Sequence, residues 1–194
     1  CRGYTTIMSP ICGYQLFWAT YSFSAFMQEG NEITAVTAGF ITVAKLWMRP
    51  IGGIGGGFLG DRYGKENILA ICLLGASLGL VLLMVIPQLQ TTIYFLLAVV
   101  LLIGVLTYVI RGLYWAILDG CDIPLHVTGL AIGVVSLIAY TPDIFLPQIN
   151  GFIAARYEGL TVYHLYFGYI AIMGLIGAVA ALKLKSMIAK KQAV

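Results

Sequence analysis

Residues 68–85 read ILAICLLGASLGLVLLMV, a run of 18 residues without a charged side chain. As a helix this run would be about 27 Å long, close to the ~30 Å thickness of a bilayer core. It therefore predicts a transmembrane helix, and similar apolar stretches recur along the chain. Together they predict six spans, at roughly 4–27, 33–59, 67–87, 91–118, 125–153 and 161–184.

The composition of the 194-residue chain agrees with this pattern. Residues AVILMFWYC make up 60% of the chain and charged residues 10%, against roughly 45–50% and about 25% in soluble domains. The 11 basic and 8 acidic side chains are too few to cover a compact soluble fold of this size. The composition excludes a cytosolic enzyme domain, a disordered segment and a nucleic-acid binder with a basic surface. The expected partner is the lipid bilayer.

Short polar breaks separate the predicted spans, so consecutive helices should run antiparallel. Pro142 and Pro147 interrupt the fifth span and predict a kink there, because proline has no backbone N–H to donate. The predicted fold is an all-α polytopic membrane protein with residues 1–194 in one membrane domain. Small residues four apart predict close helix contacts at Gly52/Gly56/Gly60, Gly53/Gly57, Gly75/Gly79 and Gly129/Gly133.

Basic residues near the span ends predict the orientation. Arg156 lies at one end of the predicted bundle, with Glu29, Glu32 and Glu158. The other end holds seven basic residues: Arg2, Arg62, Lys65, Lys183, Lys185, Lys190 and Lys191. Because basic residues near span ends are enriched on the cytoplasmic side, both termini are predicted to be cytoplasmic.

No motif predicts covalent chemistry, a metal ion or a cofactor. The Gly55–Gly60 stretch fits G-x-G-x-x-G, but it closes an apolar helix instead of following a strand, so it does not predict a dinucleotide site. The two histidines lie near opposite ends of the predicted bundle. The four cysteines have no metal or redox spacing and are interpreted as apolar packing residues. The protein is therefore not expected to be an enzyme.

Charged residues inside the predicted spans are the candidates for function. Lys45 and Arg49 are four residues apart near the middle of the second span, so they should share one helix face. A charge at that depth costs about 2.5–3.5 kcal/mol and usually serves a function. An acidic partner or an anionic ligand would offset this cost.

The fourth and fifth spans supply the rest of the candidate substrate or ion site. Arg111 could bind a carboxylate in two-pronged fashion, or extend to the inner surface and pair with Asp119. Trp115 and Tyr140 could cover the apolar faces of a sugar-like ligand. Asp143, beside Pro142, could carry H+ or Na+, or form a salt bridge with Lys45 or Arg49.

The stretch Gly57-Phe-Leu-Gly-Asp61-Arg62-Tyr-Gly64-Lys65 joins the second and third predicted spans. It resembles the G-x-x-x-D-R-x-G-R/K signature of the major facilitator superfamily, with Lys in place of the commoner Arg at its last position. The resemblance implies one half of that fold, built as a 3+3 inverted repeat. The basic start, the arginine in the fourth span and the lysine-rich tail favour the C-terminal half, helices 7–12, with the N-terminal half missing.

The resemblance also implies a cytoplasmic latch. Asp61, interpreted as lying just past a helix end, would cap a helix of the other half, while a basic residue of the loop would pair with an acid at the end of helix 10. The matching acid is Asp119, with Asp122 as the second choice. The alternative is a turn with solvated charges that only sets the topology.

The resemblance predicts a secondary transporter that works by alternating access. The excess of central cations predicts a small organic anion as substrate. The run from Arg111 to Asp119 resembles bacterial carriers of sugar acids and organic anions, which implies the bacterial inner membrane and a possible H+ or Na+ symport. The alternatives are a complete six-span channel or membrane enzyme, and a facilitator-like sensor that does not transport.

Overall fold

The computed structural model describes residues 11–12, 15–16, 19–20, 22–23, 25–29, 35–86, 93–119 and 128–192. The described residues between 11 and 29 are helical and are called here the N-terminal helical residues. The helices that follow are α1 (Ala35–Tyr63), α2 (Lys65–Val85), α3 (Ile93–Asp119), α4 (Thr128–Ala139), α5 (Pro142–Ala154) and α6 (Leu160–Gln192).

Within this part of the chain, four stretches are long and apolar enough to cross a membrane: Lys65–Val85, Tyr94–Leu113, Ile132–Ala154 and Leu160–Lys183. The protein is therefore a helical polytopic membrane protein. Helix α1 has the length of a span, at 29 residues, but Lys45 and Arg49 make it less apolar. The first predicted span, 4–27, lies only partly within the described residues, and six spans in total stay a prediction.

Helices α1 and α3 pack in parallel along the first predicted glycine face. A Cβ at Gly52 would lie 2.8 Å from Tyr108 Cβ, and one at Gly56 would lie 2.9 Å from Val109 Cγ1. Gly60 continues the same face against Leu113 of α3. The absence of side chains at these positions lets the two backbones approach closely.

The other predicted glycine faces divide into two groups. Gly75 and Gly79 of α2 pack against Leu106 and Ile103 of α3, which confirms the prediction for that pair. No atom lies within 4 Å of a Cβ placed at the glycines of the other two predicted faces, Gly53, Gly57, Gly129 and Gly133. Those faces make no helix contact within the described residues.

Helix α6 packs antiparallel between α2 and the N-terminal helical residues. A Cβ at Gly174 would meet Ser77 Oγ of α2, and one at Gly177 would lie 2.5 Å from Cys12 Cβ. Further along α6, Phe167 contacts Phe23 and Phe26, with ring centroids 5.6 and 5.3 Å apart. The four-residue spacing does not predict this contact, because Gly174 and Gly177 are three residues apart.

The predicted break in the fifth span is confirmed at Pro142, whereas Pro147 lies inside a continuous helix, α5. Helix α4 ends at Ala139 and α5 begins at Pro142, with a turn at Tyr140 and Thr141 between them. Proline has no N–H for the carbonyl four residues earlier, and that carbonyl, of Ile138, accepts a bond from the Thr141 N–H at 3.2 Å. The Thr141 hydroxyl also donates to the Leu137 carbonyl, at 3.1 Å.

The glycine face of α1 gives a stability prediction with a matched control. Gly52→Ala should lower the stability of the full-length protein by about 1–3 kcal/mol, because the new methyl group would overlap Tyr108 and the Val105 carbonyl. Gly112→Ala, at an exposed glycine of α3 where a Cβ would have no neighbour within 4 Å, should be neutral or stabilising by up to ~1 kcal/mol, since alanine favours helix. Thermal unfolding of both variants in detergent measures the difference; equal effects would contradict the α1–α3 contact.

Candidate functional site

Lys45 and Arg49 both face α3 but lie in different surroundings. The Lys45 side chain is only 4% exposed, and its Cγ lies 3.3 Å from the position of a Cβ on Gly104. The Arg49 side chain is exposed, and its guanidinium carbon lies 5.6 Å from the centre of the Tyr108 ring. The four-residue spacing thus places both on one face, but only Arg49 is open to an incoming ligand.

The Lys45 ammonium joins α1 to the N-terminal helical residues. Its Nζ donates a hydrogen bond of 2.7 Å to the backbone carbonyl of Thr20. A buried ammonium needs such acceptors, because burial removes its water. The sequence predicts a substrate cavity around Lys45; the described geometry gives Lys45 an interhelical contact that sequence spacing could not reveal.

Arg49 lies at the middle of α1, directly before Pro50, and α1 continues through this proline. Proline removes the backbone N–H that would otherwise bond the Leu46 carbonyl, which leaves that carbonyl without its helical donor. The Arg49 guanidinium lies over the face of the Tyr108 ring, where the π-system attracts a cation. A two-pronged donor set of this kind matches carboxylate or phosphate.

The other predicted residues of the substrate or ion site are placed only in part. Arg111 is half-buried on α3, and Tyr140 is half-buried in the turn between α4 and α5. The side chains of Trp115 and Asp143 lie outside the described residues. The structure therefore does not test whether they join the Lys45 and Arg49 face.

The predicted latch loop is a single-residue turn. The break predicted over residues 60–66 is too wide: α1 runs to Tyr63, α2 begins at Lys65, and only Gly64 lies between them. Gly64 has φ +89°, a conformation that favours glycine. The Asn67 amide donates to the Tyr63 carbonyl at 2.8 Å and so satisfies one carbonyl of the last turn of α1.

This geometry corrects the position of Asp61. The sequence predicts Asp61 just past a helix end, whereas Asp61 is exposed in the last turn of α1, as is Arg62. The C-terminus of a helix carries partial negative charge, which disfavours an acid and favours a base. A negative charge on Asp61 therefore costs more free energy here than it would just past the helix end. One turn earlier, a Cβ on Gly57 would have no neighbour within 4 Å.

The proposed partner in the latch is not placed. The Asp119 side chain and residue Asp122 lie outside the described part of the structure. The Lys65 stem lies near Gly60, with its Cγ 3.5 Å from the position of a Cβ there, on the side where α1 meets Leu113 of α3. The pairing of Lys65 with Asp119 stays a prediction.

The two ends of the described helices differ in charge, as the sequence analysis predicted from the spacing of basic residues. Tyr63, Asn67 and Leu182 line one crevice, so the Gly64 turn and the lysine-rich end of α6 lie together. At the opposite end, Glu29, Glu158 and Tyr163 line another crevice. Which end is cytoplasmic stays a prediction.

A buried glutamine was missed by the sequence analysis. Gln15 is 0% exposed, and its amide approaches the Tyr169 hydroxyl of α6. Even so, neither Nε2 nor Oε1 has a hydrogen bond of normal geometry among the described groups. A lone glutamine in an apolar run gives no sign of its partner, since that depends on which helix packs beside it.

The comparisons with known proteins agree with a membrane protein. The chain is 26% identical over 160 residues to the inner membrane protein YihN of Escherichia coli (strain K12), a match that covers 81% of this chain and 38% of YihN. It is 28% identical over 148 residues to the inner membrane protein YqcE of the same organism, covering 73% of this chain and 34% of YqcE.

No protein-family model matches the chain, and no solved structure matches it. The chain spans between a third and two fifths of the length of these curated relatives. With the apolar helices described above, the relatives support an integral protein of the inner membrane.

Gln15 gives a prediction that tests the apolar interior. Gln15→Met has a similar volume and removes two buried polar groups that have no hydrogen bond among the described residues, so it should stabilise the full-length protein by about 1–3 kcal/mol. Gln28→Met is the control, since Gln28 is only half-buried and should change stability little. Thermal unfolding in detergent measures both; a lower melting temperature for Gln15→Met would show that the amide is hydrogen-bonded in the membrane.

Proposed function

We propose that the chain is part of a secondary transporter that moves a small organic anion by alternating access. The observation that carries this proposal is the nine-residue stretch from Gly57 to Lys65, which resembles the major facilitator signature and forms a tight turn between two packed helices. The one-residue turn at Gly64 places Asp61, Arg62 and Lys65 at the same end of the helices. In such transporters the substrate binds near the bilayer midplane, between two halves of the bundle.

Several features of α1 support the presence of a second half of the transporter that packs against this helix. Large apolar side chains on this helix are exposed, among them Phe40, Trp47, Ile54 and Phe58. Gly53 and Gly57 lie on the same helix with no neighbour within 4 Å of a Cβ, which leaves room for a closely packed helix. The relatives are also more than twice as long as the matched segment. The partner in this proposal is the N-terminal half of the same transporter.

The central cations support an anionic substrate. Arg49 stays exposed halfway along α1 and presents its guanidinium over Tyr108. A neutral substrate would give no reason to keep a cation where it costs about 2.5–3.5 kcal/mol. A sugar acid would offer a carboxylate to Arg49 and an apolar ring face to nearby aromatic side chains. Asp143 would then supply the site for a coupling H+ or Na+.

Arg49 gives the test of substrate charge. Arg49→Gln should weaken anion binding by about tenfold or more, because a charge-assisted hydrogen bond contributes about 1.5–3 kcal/mol. Arg49→Lys should weaken it too if the contact is two-pronged, since ammonium is a point charge. The measurement is ligand-induced thermal stabilisation of the full-length protein by neutral, anionic and cationic compounds.

The matched control for Arg49 is Arg156→Gln. Arg156 is also exposed and also stacked on a ring, 4.6 Å from the centre of Phe152, but it lies at the end of the helices near Glu158 and not at their middle. This variant should leave anion binding unchanged. Stabilisation by a neutral or cationic compound that survives Arg49→Gln would contradict the anion proposal. Binding without flux in proteoliposomes would indicate a sensor.

Asp61 gives the test of the latch. Asp61→Asn should leave membrane insertion near normal but sharply lower transport by the full-length protein, because it removes an anion that stabilises one state of the cycle. Glu66→Gln, in the first turn of α2 at the same end of the helices, is the control and should retain transport. The charge exchange Lys65→Asp with Asp119→Lys should restore part of the activity if these two groups pair. Unchanged transport in Asp61→Asn would reduce the turn to a topology signal.

A further inference from the structure

An apolar crevice opens on the outer surface of the helices at the end that carries the Gly64 turn. Its volume is about 570 Å³, and it lies between the last turn of α1, the first turns of α2 and the later part of α6. The residues that line it include Leu59, Tyr63, Asn67, Ile71, Leu74 and Leu182. The Ile71 side chain is 61% exposed, so the crevice faces the surroundings of the bundle.

The crevice is polar at one end and apolar along its length. Tyr63 and Asn67 lie beside the turn, at the level where the helices end. Leu74 lies seven residues further along α2, which is about 10 Å deeper along the helix axis. An acyl chain that enters from the membrane surface would contact apolar side chains over this distance, with its headgroup beside Tyr63 and Asn67.

Two basic residues directly neighbour, along the chain, residues that line the crevice. The Arg62 guanidinium carbon lies 5.7 Å from the centre of the Tyr63 ring, and Lys183 directly follows Leu182 on α6; both side chains are exposed. Arg62 shares the helix face of Leu59, three residues earlier, whereas Asp61 is two residues from Leu59 and points away from that face.

One acid lies at the rim of the crevice. Glu66 directly precedes Asn67 and is therefore turned about 100° from it around α2. It is half-buried, while Arg62 and Lys183 are exposed. The two cations outnumber this acid at the rim, so the charge there favours an anionic headgroup over a zwitterionic one.

We propose that this crevice is a binding site for an anionic phospholipid. One acyl chain lies along Ile71 and Leu74, and the headgroup phosphate is held by Arg62 and Lys183. Basic pockets between membrane helices near the surface are suited to such headgroups. The site is separate from the proposed transport path, which uses the α3-facing side of α1, and it does not depend on the transport proposal.

Lipid titration of the full-length protein tests the headgroup contact. The delipidated protein is titrated with phosphatidylglycerol and with phosphatidylethanolamine of the same acyl chains, and bound lipids are counted by native mass spectrometry. Arg62→Gln and Lys183→Gln should each weaken phosphatidylglycerol binding about fivefold and leave phosphatidylethanolamine unchanged. Arg156→Gln, at the other end, should change neither. Equal binding of the two lipids to the wild-type protein would overturn the proposal.

A second pair of variants tests the acyl-chain contact. Ile71→Trp places an indole in the crevice and should weaken phosphatidylglycerol binding, whereas Leu78→Trp should not. Leu78 is similarly exposed, at 64%, and lies two turns further along the same face of α2, outside the crevice. Equal effects of the two tryptophans would show that the lipid lies elsewhere.

The wild-type protein provides measurements that need no variant. Its preference for phosphatidylglycerol over phosphatidylethanolamine should fall as salt rises, because exposed charges are screened. Inorganic phosphate should displace the lipid no better than chloride at equal ionic strength. A preference that salt does not change, or displacement by phosphate alone, would overturn the lipid site.

Discussion

The close approach of α1 to α3 is the constraint on which the other features depend. With no side chain at Gly52, Gly56 and Gly60, the two helices meet almost backbone to backbone, because apolar association in lipid relies on packing contacts and not on the release of water. This contact fixes the rotation of α1 about its axis. It consequently turns Lys45 and Arg49 toward α3 and leaves Phe40, Trp47, Ile54 and Phe58 on an unpartnered surface.

The same rotation divides the two cations of α1. Lys45 enters the space between helices and bonds the Thr20 carbonyl, while Arg49, one turn later, remains outside over the Tyr108 ring. A long flexible ammonium can reach a backbone oxygen in a narrow gap, and a planar guanidinium is well suited to an aromatic face. Two residues that are equivalent in the sequence pattern therefore differ in what they can bind.

Buried polar side chains differ in whether their hydrogen bonds are satisfied. The Thr107 and Ser77 hydroxyls, both buried, donate to carbonyls one turn earlier in their own helices, at 2.7 and 2.8 Å, so they need no partner from another helix. The amide of Gln15 cannot be satisfied in this way, because it has two donors and an acceptor at the end of a longer side chain. It is the least satisfied side chain of the described interior, and its environment depends on how α6 packs beside it.

The sequence by itself determined the helical membrane class, the break at Pro142, and the presence on α1 and α2 of glycine faces suited to close helix contact. These follow from local rules: apolar length, the missing N–H of proline, and the space left by glycine. Only the tertiary structure decided which glycine faces are occupied, that α1 continues through Asp61 to Tyr63, that Lys45 is buried while Arg49 is not, and that Tyr63 and Leu182 line one crevice. Those outcomes depend on which helices are neighbours and how each is rotated, and contacts between residues far apart in the chain leave no local pattern in its sequence.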